Sequence, residues 1–167
     1  GPGDSPLIRR WFAPVFSTAA GSGPRVHERI RNVLRESVSA HMRADVPVGA
    51  FLSGGIDSTA IVALARDEHS GLTTYTANFD EPGYSEADVA KETAAALGVE
   101  NVLCTVSAQD VMDALPSIVW HLDDPVADPA LVPLWFVARR ASRDVTVVLS
   151  GEGADELFGG YRIYGEP

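Results

Sequence analysis

Apolar and polar residues change their spacing along this chain in a way that alternates helix with strand. Val26, Ile30, Val33, Leu34, Val38 and Met42 keep helical intervals, which predicts an amphipathic helix over residues 25–43. Residues 46–52 then form a short, mostly apolar run that predicts a strand, and residues 59–65 resume a helix that opens near Asp57. Residues 72–79 predict a second strand by their β-branched and aromatic content. A turn follows at 80–83, and Ser85-Glu86-Ala87-Asp88 predicts a capped start for a helix ending near Gly98. A third strand is expected at 101–106, helices at 107–121 and 130–142, and a last strand at 145–149. Trp120, Trp135 and Phe136 fall in those helices, where core packing is the expectation. Such alternation, with no internal repeat, predicts an α/β fold with a parallel sheet and helices on both faces. Residues 17–24, rich in Ser, Gly and Ala, read as a linker.

Two strand ends carry the chemistry. Ser53-Gly54-Gly55-Ile56-Asp57-Ser58 follows the first strand and opens the second helix. Adjacent glycines remove the Cβ atoms that would keep a backbone away from a polyphosphate, and the helix start aims N–H groups and its positive dipole end at the anion. Ser53 and Ser58 add hydroxyls. Asp57 and a phosphate repel each other, so the task left to Asp57 is a divalent cation that bridges to phosphate oxygens, and the loop predicts magnesium with a nucleotide. The lysine of the G-x-x-x-x-G-K-[ST] loop is absent.

The run 144–149 leads into a second glycine-rich turn, from Ser150 to Tyr161, that holds Glu152, Asp155 and Glu156. By themselves these three carboxylates read equally well as a solvated acidic turn or as a cation site. In open parallel sheets ligands sit outside the carboxyl ends of the strands, so both loops are expected on one edge.

The first loop resembles the pyrophosphate loop of the ATP pyrophosphatases, which split ATP between the α- and β-phosphates and adenylate a substrate. Residues 46–58 and 148–161 together closely resemble the synthetase domain of glutamine-dependent asparagine synthetases, with further similarity at 84–90 and 121–130. The resemblance covers roughly residues 24–167 and implies an adenine nucleotide alpha hydrolase-like, Rossmann-like fold. It implies that Ser53, Gly54, Gly55 and Ser58 cradle pyrophosphate and that Asp57 and Asp155 bind magnesium. Ser150 and Gly151 would contact AMP, with Phe51 or Leu52 and Ala77 at strand ends near the adenine. Glu152 resembles the catalytic glutamate that manages protons while ammonia attacks the acyl-adenylate, a task that suits a carboxylate whose pKa is raised by burial and by its neighbours Asp155 and Glu156.

The reaction so implied uses ATP and Mg2+ to adenylate the side-chain carboxylate of aspartate, and then ammonia released from glutamine to give asparagine, AMP and pyrophosphate. Another ATP-dependent amidation on the same scaffold, such as β-lactam ring closure, and a nucleotide-binding module without catalysis remain open. The resemblance leaves room for a homodimer of the full-length enzyme. One stretch departs from it: between His121 and Pro133 the chain carries Asp123, Asp124 and Asp128 around two prolines, either as pocket residues or as a solvated loop.

Full enzymes of that family begin with a glutaminase domain whose nucleophile is an N-terminal cysteine, and they continue beyond the second loop. This chain begins Gly1-Pro2-Gly3 and has its single cysteine at Cys104. It is therefore expected to be an excised fragment, with residues 1–23 as the linker from the glutaminase domain and 24–167 as part of the ATP-pyrophosphatase domain.

With 167 residues, 46% of them apolar, the chain is long enough to bury a core. Its net charge of −10 is uneven: residues 1–44 hold seven arginines against three acids, and residues 45–167 hold six basic against twenty acidic groups. An acidic catalytic part argues against nucleic-acid partners, which need clustered Lys and Arg. No run approaches a membrane span, and a cytoplasmic location is expected. Cys104 is expected to be a buried, inert thiol, and the four histidines show no ligand spacing. Tyr161 and Tyr164 follow the second loop and are candidates to line a cleft.

Overall fold

A computed structural model describes residues 9–13, 15, 23–80, 86–124 and 126–161. Contacts divide the chain into two compact units, one ending at Leu34 and the other beginning at Arg35. The first helix, α1 (Pro24–His41), runs across that division. In the first unit Ile30 and Val33 of its apolar stripe are exposed, whereas in the second Val38 is buried and Met42 packs on the core.

The second unit is the α/β fold that the pattern predicts. Its strands are β1 (Val48–Phe51), β2 (Thr73–Phe79), β3 (Glu100–Val106) and β4 (Val147–Leu149), interleaved with α2 (Ile56–Glu68), α3 (Ala87–Leu97), α4 (Ala108–Leu122) and α5 (Leu131–Ala141) and followed by α6 (Ala154–Phe158). All pairings are parallel, in the order β3-β2-β1-β4, with Phe51 opposite Tyr75 and Ala50 opposite Leu149. The chain winds outward from β1 through β2 to β3 and then returns to the other side of β1. That reversal makes the crevice between β1 and β4 the place where such sheets take ligands.

Strand side chains alternate between faces, so the two sides of the sheet carry different cores. On one, Ala50 and Leu52 meet Val62 and Ala65 of α2 and Ala90 and Ala94 of α3. On the other, Phe51, Tyr75, Ala77, Val102 and Cys104 pack with Val137 and Ala141 of α5. Burial pushes the Cys104 thiol up, and its Sγ lies 3.6 Å from the Phe136 carbonyl, so little reactive thiolate forms. Among the described residues no helix is long and apolar enough to cross a membrane.

Tyr75 ties the second core together. Its side chain is 1% exposed, and its hydroxyl donates to Asp144 Oδ2 at 3.2 Å, the same oxygen that Arg140 Nη1 reaches at 2.5 Å. Burial first, and the Asp144 carboxylate second, raise the phenol pKa above its ordinary value near 10. A raised pKa means that the folded state holds the proton more tightly. This stabilisation is complete below about pH 10 and is lost as pH rises through the folded value. Denaturant midpoints measured from pH 8 to 11 should therefore fall at the alkaline end in the wild type and stay flatter in Tyr75→Phe, which should itself cost about 1 kcal/mol at neutral pH.

Two expectations are corrected. Trp120 is 79% exposed and not in the core, because Ile118, two residues earlier and so about 200° away around α4, occupies the packed face. At the start of α3 the N-cap residue is Glu86, with no side-chain cap bond, and Ser85 lies outside the described residues. The capping box is instead at α4, where Ser107 Oγ accepts from Asp110 N–H at 3.2 Å and Asp110 Oδ2 accepts from Ser107 N–H at 2.9 Å. The Ser107 hydroxyl, donating to Asp110 Oδ2 at 2.6 Å, and after it the Ser107 N–H hold the Asp110 carboxyl below the usual range.

Candidate active site

The first loop is closed by its own hydroxyls. Ser58 is buried, and its Oγ donates to the Gly55 carbonyl at 3.2 Å while accepting from Ser53 N–H at 3.2 Å. A hydroxyl has one proton, so the 3.0 Å contact between Ser58 Oγ and Ser53 Oγ is donated by Ser53, and Ser58 is fully used inside the loop. Ser58 thus shapes the turn, and the exposed Ser53, which donates to Ser58 and accepts from Gly55 N–H at 3.3 Å, is the hydroxyl on the solvent side of the loop. Gly54 has φ +83°, and a Cβ there would lie 3.1 Å from Val89 Cβ and 3.2 Å from Ala90 N, so α3 packs directly on the loop. Gly55 caps α2 without a side-chain acceptor, leaving the N–H groups of the first turn to an outside anion.

The second loop arrives from β4 and touches the first through backbone. A Cβ on Gly151 would stand 2.9 Å from Ser58 N and 3.1 Å from the carbonyl carbon and Cβ of Asp57. Ser150 Oγ accepts from Glu152 N–H at 3.0 Å, and Gly153 (φ +89°) and Gly159 (φ +70°) bracket α6.

Between the loops lies a cleft of about 190 Å³. Phe51, Ser53, Asp57 and Ser58 line one side, and Ser150, Gly151, Glu152 and Asp155 the other. Ligand pockets usually measure roughly 300–1,000 Å³, so this one fits the phosphate end of a nucleotide rather than all of it. Gly54 and Gly55 belong to the loop but do not line the cleft, nor do Leu52 and Ala77. Leu52 follows Phe51 in an extended chain and so points to the opposite face, where it is 1% exposed in the α2–α3 core. Ala77 packs in the Tyr75 core.

Glu152 is exposed, so the burial expected for it is not met. Glu156 also lines the cleft, and the Tyr161 hydroxyl, donating at 2.7 Å, holds its carboxyl below the usual range. Sequence reasoning treated Glu156 only as a neighbour of Glu152. The available signal was the Gly159-Gly160 turn, which brings Tyr161 back over α6. Tyr161 lines the cleft, and Tyr164 lies outside the described residues. Asp123, Asp124 and Asp128 are exposed and do not line the cleft; Asp128 Oδ1 accepts from Ala130 N–H at 2.9 Å ahead of α5.

Among the described residues no three His, Cys, Asp or Glu side chains gather into a ready-made metal cage. Magnesium does not require one, since it retains waters and binds through one or two carboxylates plus substrate phosphates. Asp57 and Asp155, facing one cleft from two loops, fit that pattern.

The fold is similar to that of an NH3-dependent NAD synthetase from Campylobacter jejuni (TM-score 0.55, 15% identity, 80% of this chain and 60% of that one). It is also similar to NMN synthetase from Francisella tularensis (TM-score 0.53, 19% identity, 80% and 58%). The sheet is thus adenine nucleotide alpha hydrolase-like. In sequence, the chain is 53% identical over 160 residues to asparagine synthetase [glutamine-hydrolyzing] 1 of Bacillus subtilis, covering 96% of this chain and 25% of that protein. It is 56% identical over 166 residues to a putative asparagine synthetase [glutamine-hydrolyzing] of Mycobacterium tuberculosis strain H37Rv, covering 98% and 26%. The chain thus spans about a quarter of the length of the curated relatives it matches. Residues 29–167, including both loops of the cleft, match asparagine synthase throughout, and the chain belongs to that family.

Proposed function

We propose that residues 24–167 form part of an ATP-pyrophosphatase domain whose two loops grip the polyphosphate of ATP, within a protein that makes asparagine from aspartate and ammonia. The supporting observation is the meeting of the loops at Gly151 and Ser58, which sets Asp57 and Asp155 on one cleft. Asp57 and Asp155 would hold magnesium, which when bound neutralises charge on the phosphate oxygens. The first-turn N–H groups of α2 and the Ser53 hydroxyl would orient the β- and γ-phosphates as leaving group. The aspartate side-chain carboxylate then attacks the α-phosphorus and pyrophosphate departs. Ammonia attacks the resulting acyl carbon and AMP leaves, with Glu152 taking the surplus proton from the nitrogen. Relatives named glutamine-hydrolyzing suggest glutamine as the ammonia source.

A second reading, nucleotide binding without turnover, is favoured by the exposure of Glu152, which leaves its carboxylate open to water rather than enclosed beside a reacting nitrogen. Calorimetric titration of this chain with ATP, with and without magnesium, tests the shared part of the two readings. Saturable, magnesium-dependent heat is expected, and its absence would reject nucleotide binding. Pyrophosphate release by the full-length protein, given aspartate and ammonia, then separates turnover from binding alone.

A further inference from the structure

The chain leaves β1 for the first loop at Leu52, where a side chain takes over from the backbone ladder. Leu52 N–H donates to the Tyr75 carbonyl at 3.0 Å, as parallel pairing requires. The Leu52 carbonyl, however, accepts at 2.6 Å from the hydroxyl of Thr76, a residue only 3% exposed. A carbonyl can only accept, so Thr76 commits its single proton there, and its oxygen accepts from Asn101 Nδ2 at 3.0 Å. This direction sets the Asn101 amide and leaves Asn101 Oδ1 buried without a hydrogen-bond partner among the described residues. Buried acceptors are rarely left unmet, because doing so costs stability.

The Leu52 carbonyl and the Ser53 N–H belong to one rigid peptide plane. Holding the carbonyl therefore aims the N–H, which donates to Ser58 Oγ at 3.2 Å, and Ser58 in turn donates to Gly55. A relay runs from β3 through β2 into the loop. We propose that Thr76, backed by Asn101, is a positioning residue that sets the angle at which the chain leaves the sheet and so presents the first loop to the polyphosphate. This rests on the nucleotide reading above, but the relay itself has a readout independent of it.

The test uses the full-length protein as wild type, Thr76→Val and Thr76→Ser, with hydrogen exchange and MgATP titration. Valine keeps the shape and removes the hydroxyl. Exchange at Ser53, and at Gly55, whose N–H donates to Ser53 Oγ at 3.3 Å, should rise about tenfold in Thr76→Val, the effect of one lost hydrogen bond, while β2 and β3 amides keep their protection. MgATP should bind about tenfold more weakly. Thr76→Ser should restore both. Unchanged exchange in the loop, or exchange rising equally through β2 and β3, would overturn the proposal and leave Thr76 a purely structural residue. If the wild type binds no MgATP, the nucleotide reading fails while the exchange arm still decides the relay. If Thr76→Val does not fold, Asn101→Leu, which removes only the far link, is read by the same two measurements.

Discussion

Asp57→Asn and Asp155→Asn should each lower aspartate-dependent pyrophosphate release by the full-length protein about 10²- to 10³-fold, the range for loss of one preorganised charge-stabilising group. The two residues are 98 positions apart in the chain, yet they line one cleft. Neither is engaged in an ion pair among the described residues, so neutralising either removes little that holds the fold together. Asp57 sits in the first turn of α2, where its charge also favours the helix; the asparagine variant should lose only roughly 0.3–1 kcal/mol of stability on that account. The discriminating measurement is the magnesium dependence. A variant that has lost a metal ligand should need more magnesium for half-maximal rate, with its melting temperature nearly unchanged. Full activity in either variant would remove that residue from the metal role.

Gly151→Ala should weaken MgATP binding by roughly 10- to 100-fold, because it forces apart the two loops that form the cleft. The added Cβ would stand 2.9 Å from Ser58 N and 3.1 Å from Asp57 atoms, and the backbone offers no flexible side-chain end to swing away. Overpacking of this kind costs typically about 1–3 kcal/mol, so the melting temperature should fall as well. Gly153→Ala is the control. Gly153 has open space where a Cβ would go but φ +89°, so alanine there strains the turn without touching the first loop. Comparing the two by melting temperature and by MgATP titration separates the loss of contact geometry from general destabilisation. Equal binding in Gly151→Ala and wild type would mean that the approach of the loops does not govern the site.

Residues 53–58 were legible as a candidate phosphate loop because an adjacent glycine pair, two hydroxyls and an acid at a helix start act within a few residues of each other, whereas the carboxylates after Ser150 read by themselves equally well as a solvated turn. The α/β alternation was legible for a similar reason, since the apolar spacing of residues such as Val62 and Ala65 repeats within one element. Other features were not. Whether Trp120 faces in or out depends on which side of α4 is covered, and that depends on where α5 lies. Which of the Ser53 and Ser58 hydroxyls is spent inside the loop was not legible either, because a hydroxyl's free capacity depends on every neighbour in the folded loop.

Residue order alone determined the elements and the two glycine-rich loops and set the expectation of a nucleotide between them, all of which arise from interactions over one to a dozen positions. The tertiary structure decided that β4 returns beside β1, that Gly151 therefore lies against Ser58, and that Leu52 turns into the core while Phe51 opens on the cleft. The physical reason is that strand neighbours are selected by burying both sheet faces at once, a sum over the whole chain that no local stretch contains.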